Sequence, residues 1–157
     1  MFKISPIQSP EEQARCAEKC NSKYREGTFA YSMNDSKTGE LMGFSQFEIN
    51  EKGGYLFDLR PADGYDDYEA MFILGRATMN FIDLCGTHIL HANENSADTT
   101  LLRAIGLKPN GDGTYFCDMT GFFDGYLIFL VHLVWSLSNL SILLGWSKSS
   151  ISCYRKS

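Results

Sequence analysis

The sequence reads as lacking a secretory leader, regular cysteine spacing, a basic stripe and an internal repeat, and each absence counts against a class of function. Met1-Phe2-Lys3 gives way to polar Gln8, Ser9 and Glu11, so the apolar stretch of a signal peptide is missing. Five cysteines without pattern predict free thiols in a reducing compartment rather than a disulfide scaffold, and hence a cytoplasmic domain. The formal charge of −5 is uneven: 18 acidic and 11 basic side chains precede residue 122, while 1 and 3 follow it, leaving a body near −7 and a tail near +2. A body this acidic, with no basic-aromatic interleaving, repels a phosphate backbone, so nucleic acid is not an expected partner. With 157 residues and no low-complexity segment, there is room for one domain with a real core and an appendage.

What is present is an alternation of strand-like and helix-like segments. Phe2 to Ile7 alternates weakly, and Pro10-Glu11-Glu12 opens a helix to about Cys20, with acids at the positive end of its dipole. Thr28 to Met33 and Leu41 to Ile49 favour strands and flank turn chemistry at Asn34 to Gly39, which predicts an antiparallel hairpin. Glu51 to Gly54 turns the chain again into a third strand, Tyr55 to Leu59. From Asp67 to Cys85 the apolar residues Ala70, Phe72, Ile73, Ala77, Phe81 and Leu84 recur at helical spacing and predict one buried face, with Gly86 as a left-handed cap. His88 to Ala92 reads as a strand, Ala97 to Ile105 as a short helix closed by Gly106, and Thr114 to Met119 as a last strand after the turn Asn110 to Gly113. The predicted order is β-α-β-β-β-α-β-α-β, an α/β mixed-sheet domain over residues 1–121. Within it, Gly54 to Gly106 places a loop and a helix N-terminus at the end of a central strand, where α/β proteins bind phosphate-bearing ligands.

After residue 121 the composition changes. Residues 125–146 hold no Asp, Glu, Lys or Arg, and 22 residues at the helical rise cover about 33 Å, enough for a hydrocarbon core of about 30 Å. Tyr126 and Trp146 stand at the two ends, where interfacial aromatics belong. The segment 122–146 is therefore a candidate transmembrane helix and membrane anchor. Polar His132, Ser136, Ser138, Asn139 and Ser141 weaken that reading, and a buried helix or strand pair, or an extension outside the evolved domain, are the other two. Residues 147–157 read as a disordered basic tail with Lys148, Arg155 and Lys156 as its only charges. Those cations favour a cytoplasmic C-terminus, yet a domain using a cytosolic cofactor must also be cytoplasmic, and a single span cannot satisfy both.

The order of elements, with Tyr55-Leu-Phe-Asp-Leu-Arg-Pro61, His88-Ile-Leu-His-Ala-Asn93 and Leu101-Leu-Arg-Ala-Ile-Gly-Leu107, resembles the GNAT superfamily of acyl-CoA-dependent N-acyltransferases over about residues 1–123. Asn80 to Gly86 (NFIDLCG) and Thr120 to Phe123 (TGFF) are similar to segments of a small group of GNAT-like proteins of Firmicutes bacteria. The resemblance implies acetyl-CoA as co-substrate, no metal, and a small-molecule or peptide amine as acceptor. In that family a Q/R-x-x-G-x-G/A loop after the fourth strand holds the coenzyme A pyrophosphate on backbone N–H groups at the start of the following helix. The equivalent stretch here, Arg60 to Glu69, keeps an arginine and one glycine but not the motif. The resemblance assigns the phosphates to the amides of Asp63, Gly64 and Tyr65, with Arg60 or Arg76 offsetting the crowded acids. Asp66 and Glu69 have capping-box spacing, so their carboxylates compete for the same helix amides.

A general base on the fourth strand is implied at Asp58, with Glu48 on the preceding strand as alternative. The plain reading of Asp58 is a strand-face acid paired with Arg60 or solvated. Asn93 and Asn95 match the position where the family contacts the pantetheine arm, and otherwise read as loop and cap chemistry before Ser96. The family's frequent general acid, a tyrosine, falls on Leu102, which cannot protonate a departing thiolate.

Other constellations carry less. Cys16 and Cys20 share a helix face and His88 and His91 lie in one strand, but strand spacing sends the two imidazoles to opposite faces, so buried thiols and ordinary imidazoles are expected rather than a metal site. Cys85, in the last helical turn at the negative end of the dipole, reads as core filler, and Met71, Phe72 and Phe81 as core packing. Besides a membrane-tethered module whose chief property is its anchor, two functions remain in view. One is an N-acetyltransferase moving an acetyl group from acetyl-CoA to an amine; the other is a GNAT-like binding or dimerisation domain without turnover, membrane-tethered or as a homodimer.

Overall fold

A computed structural model describes residues 1–124; residues 125–157, with the candidate transmembrane helix and the basic tail, lie outside the described residues. Among the described residues no helix is long and apolar enough to cross a membrane. The elements run β1 (Phe2–Pro6), α1 (Pro10–Lys19), β2 (Phe29–Asp35), β3 (Leu41–Asn50), β4 (Gly53–Pro61), α2 (Tyr68–Leu84), β5 (Ile89–Asn93), α3 (Thr99–Ile105), β6 (Lys108–Pro109) and β7 (Thr114–Asp118). This is the predicted order with β6 added, a pairing too short to leave a periodic signal.

The strands form one seven-stranded sheet in the order β1-β2-β3-β4-β5-β7-β6. Only β4 and β5 are parallel, and α2 supplies the crossover between them. The helices divide between the two faces. Phe44 clusters with Cys16 and Ala17 of α1 and with Cys20, the residue that caps its end. Ser45, one residue on and therefore on the other face, meets Thr78 of α2 through a 2.7 Å hydroxyl hydrogen bond.

Local chemistry explains the helix starts. Ser9 caps α1 by accepting from the Glu12 amide at 3.2 Å, with Pro10 in the first turn where a missing N–H costs nothing. The buried face of α2 is not the predicted one. Ala70, Met71, Leu74, Gly75, Thr78, Met79 and Ile82 are buried, whereas Ile73 and Leu84 are 38% and 70% exposed. This helix is apolar nearly all round, so periodicity offers more than one stripe, and small residues decide between them. A Cβ on Gly75 would stand 2.9 Å from Leu59 Cδ2 and 3.0 Å from Ile105 Cγ2, so the glycine lets α2 lie close against β4 and α3 on this side. Cys85, just past the helix, is exposed rather than core filler, although surrounding protein still raises its thiol to about 11.

Two irregularities in β4 shape the site. Its pairing with β3 slips, so that Gln46 faces Asp58 but Phe47 faces Leu56, leaving Phe57 as an extra residue in a β-bulge. Its parallel pairing with β5 ends at Leu56 opposite Ala92, five residues before β4 itself ends at Pro61.

Candidate active site

The loop from β4 into α2 is held from below. The Ala62 amide donates to Met42 O at 2.9 Å, the Asp63 amide to Lys19 O at 2.9 Å, and the Tyr65 amide to Ala62 O at 3.0 Å. Of the three amides assigned to phosphate, those of Asp63 and Tyr65 are therefore engaged, and the Gly64 amide is not. The cap of α2 is Asp67, which accepts from the Ala70 amide at 2.9 Å, not Asp66 with Glu69. Adjacent aspartates gave the sequence no way to choose between registers. Among the described residues no hydrogen bond uses the amides of Gly64, Asp66, Asp67, Tyr68 or Glu69. These amides form a donor-rich turn at the positive end of a 17-residue helix. The side chains of Asp63, Asp66, Asp67 and Glu69 are exposed around it and oppose any anion. The Tyr65 hydroxyl donates to Glu40 Oε2 at 3.0 Å, a partner that raises its pKa, and so ties the loop to the β2–β3 hairpin.

Asp58 sits on the α1 side of the sheet, 6% exposed. Gln46 Nε2 donates to its Oδ2 at 3.0 Å and Arg60 Nε to its Oδ1 at 3.3 Å, while Arg25 Nε lies 3.6 Å from Oδ2. The expected pairing with Arg60 is present, and Arg25 adds a second guanidinium. Gln46 is fully buried and organises the group. Its Oε1 accepts from Gln13 Nε2 and the Arg25 amide at 2.9 Å and from Thr28 Oγ1 at 3.3 Å, while its Nε2 also donates to Lys23 O at 3.0 Å. Donors on one side and acceptors on the other fix the amide's orientation, which in turn fixes the carboxylate. Arg25 also covers the Phe57 ring at 4.7 Å. Glu48 lies two residues along β3 from Gln46, on the same face, and accepts from Asn50 Nδ2 at 2.9 Å.

Sequence reasoning did not find Gln46, Gln13 or Arg25. Gln46 had a signal: a long polar side chain between Phe44 and Phe47 in a buried strand must find partners. Arg25, in a loop, had none.

Beyond Leu56 the gap between β4 and β5 is bridged by Ser96. Its hydroxyl donates to Leu56 O at 2.8 Å and accepts from the Asn93 amide at 3.0 Å, and its carbonyl accepts from the Leu59 amide at 2.8 Å. Ser96 is 2% exposed. A ligand arm lying along this edge of β4 must displace that carbonyl. The neighbouring Asn95 carbonyl accepts a hydrogen bond from Arg60 Nη2, so Arg60 spans Asp58 and this bridge rather than the β4–α2 loop. The Asn93 and Asn95 side chains are exposed and make no hydrogen bond among the described residues. The cap of α3 is Asp98, accepting from the Thr100 and Leu101 amides at 2.9 and 3.2 Å, so neither asparagine is a cap.

Arg76 points elsewhere. Its Nη1 donates to Ile105 O at 3.0 Å and its guanidinium lies 4.5 Å from the Phe122 ring centroid, with burial lowering its pKa. It stitches α2 to the end of α3 and the Thr120–Phe123 turn. Leu102 is fully buried. Cys16, Cys20 and Cys117 are buried thiols, the second raised by burial to about 12. His88 pairs with Asp83 at 2.6 Å while His91 stacks on Tyr55 at 4.9 Å, and among the described residues no three His, Cys, Asp or Glu side chains converge as metal ligands would.

The fold is that of the GNAT acetyltransferases. An acetyltransferase of the GNAT family from Staphylococcus aureus Mu50 is similar with a TM-score of 0.58 and 11% identity, over 76% of this chain and 99% of that one. The ribosomal-protein-S18-alanine N-acetyltransferase of Escherichia coli gives 0.56 and 12%, over 74% and 91%. An Escherichia coli protein described as an N-acetyl transferase, solved bound to coenzyme A, gives 0.56 and 12%, over 74% and 98%. No family model and no curated protein matches the sequence.

Proposed function

We propose that the domain is an N-acetyltransferase that moves an acetyl group from acetyl-CoA to an amine. The observation that carries this reading is the run of unpaired amides at Gly64 and Asp66 to Glu69, at the start of the helix that follows β4 in a GNAT fold. There the pyrophosphate accepts from main-chain N–H groups. The exposed Asn93 and Asn95 side chains meet the pantetheine arm, and the arm takes the Leu59 amide in place of Ser96 O. The amine nitrogen then attacks the thioester carbonyl. A C–N bond forms, the C–S bond breaks, the amine's proton passes to Asp58, and the thiolate takes a proton from water because Leu102 offers none. Glu48 is the alternative proton acceptor, farther along the same face. The acids beside the phosphate site make the coenzyme weakly held and its affinity salt-dependent.

Titration calorimetry of the full chain with acetyl-CoA tests this. Binding with a Kd on the order of 10–100 µM supports it, and no heat at about millimolar ligand removes it. A GNAT domain that binds without turnover is the less favoured reading; it would make use of the Ser96 bridge across β4 and β5 and the leucine at position 102. Acetyl-CoA binding with no thiol release across a broad amine panel selects it.

A further inference from the structure

The geometry points to an acceptor that carries a carboxylate beside its amine: the zwitterion of a free α-amino acid, held by Arg25 and Asp58. This rests on the transferase reading and narrows it to one substrate class. Two guanidiniums bracket one carboxylate, so the cluster keeps a surplus positive charge. The two are not equivalent. Arg60 is fastened at both ends, by Asp58 and by the Asn95 carbonyl. The side chain of Arg25 makes only the longer 3.6 Å approach to Asp58, is 48% exposed, and leaves both terminal nitrogens without a hydrogen bond among the described residues. Arg25 is thus the outer wall of the cluster, with the Phe57 ring beneath it.

A zwitterion fits this arrangement by exchange of partners. Its ammonium group takes the place of Arg25 at Asp58 Oδ2, and its carboxylate engages the freed fork of Arg25, so no buried charge is left alone. One proton passes from the ammonium by way of Asp58 to bulk water before the nitrogen attacks, and the proton released on attack then passes to Asp58. Gln46 keeps the Asp58 carboxylate in place while this happens. A diamine brings a second cation between two guanidiniums and is repelled, and a peptide N-terminus has no carboxylate next to its amine.

The test is calorimetry on the full chain with each of the twenty L-amino acids, their carboxamides, and cadaverine as the diamine probe, with acetyl-CoA titrated separately. At least one amino acid should bind about tenfold or more tightly than its carboxamide. Arg25→Gln, with an unchanged melting temperature, should cut that preference to about threefold or less, and Arg25→Lys should restore part of it. Equal binding of acid and carboxamide, better binding of cadaverine, or no binding of any amino acid overturns the inference. Coenzyme binding without carboxylate preference sinks the inference and leaves the transferase standing. Carboxylate preference without coenzyme binding removes the transferase reading and, with it, the acceptor role, leaving an amino-acid site alone.

Discussion

The two faces of the sheet solve different problems. On the α2 side, Leu59, Gly75 and Ile105 pack so tightly that one added carbon at Gly75 would collide, and Leu74, Met79 and Ile82 have no exposed surface. On the α1 side an apolar cluster around Phe44, Cys16 and Ala17 gives way, at the Gln46–Asp58 pair of β3 and β4, to a polar patch in which Gln13, Gln46 and Asp58 are buried and joined by hydrogen bonds to Arg25, Thr28 and Lys23. The apolar face gains stability from burial, whereas a buried polar network is costly unless every member is satisfied. Here the network holds the Asp58 carboxylate in one orientation. Under the proposed function the chemistry lies on the side where β4 bulges and carries Asp58, and the α2 side serves to hold the sheet together.

Substitutions on the two faces should separate stability from site function. The largest effect on folding is expected from Leu74→Ala, which empties a fully buried position on α2 and should cost about 2–5 kcal/mol in chemical denaturation while leaving ligand affinity unaltered in the folded fraction. Gln46→Leu keeps the volume but strips partners from Asp58, the Arg25 amide and the Lys23 carbonyl. Its cost should be smaller, about 1–3 kcal/mol, because water can reach the exposed Arg25 side, yet it should abolish amine acetylation in a thiol-release assay. If Gln46→Leu proves harmless to turnover while Leu74→Ala destroys it, the division between the faces is wrong. Asp67→Ala removes the α2 cap and should cost about 1 kcal/mol.

How much of this was legible beforehand depended on whether the cause was local. The strands and helices were, because alternation, the proline at the start of α1 and the glycine after α3 act within a few residues. The face of α2 was not, since Phe72, Ile73 and Leu84 are as apolar as the residues that are buried, and Gly75 revealed its role only against Leu59. The cap at Asp67 was missed by one position in a run of acids. Asp58 was read as a carboxylate on the fourth strand, but Gln46, Arg25 and the Ser96 bridge depend on tertiary contacts that no spacing encodes.

A smaller effect should appear at alkaline pH. Burial raises the Cys20 thiol on the α1 face from about 9 to about 12, so the folded state keeps a proton that the unfolded state gives up. Stability from this group is intact below about pH 9 and should fall as pH rises toward 12, and Cys20→Ala should flatten that part of a denaturation series.

The central claim concerns the turn into α2. Two-dimensional ¹⁵N–¹H spectra of the full chain, recorded while coenzyme A is added, read each amide there separately. The amides of Gly64 and of Asp66 to Glu69 should shift together in a saturable, salt-sensitive way, with those of Asp63 and Tyr65, already bonded to Lys19 and Ala62 carbonyls, moving less. If these amides stay still at about millimolar coenzyme A, the turn holds no pyrophosphate and the acetyltransferase reading is contradicted.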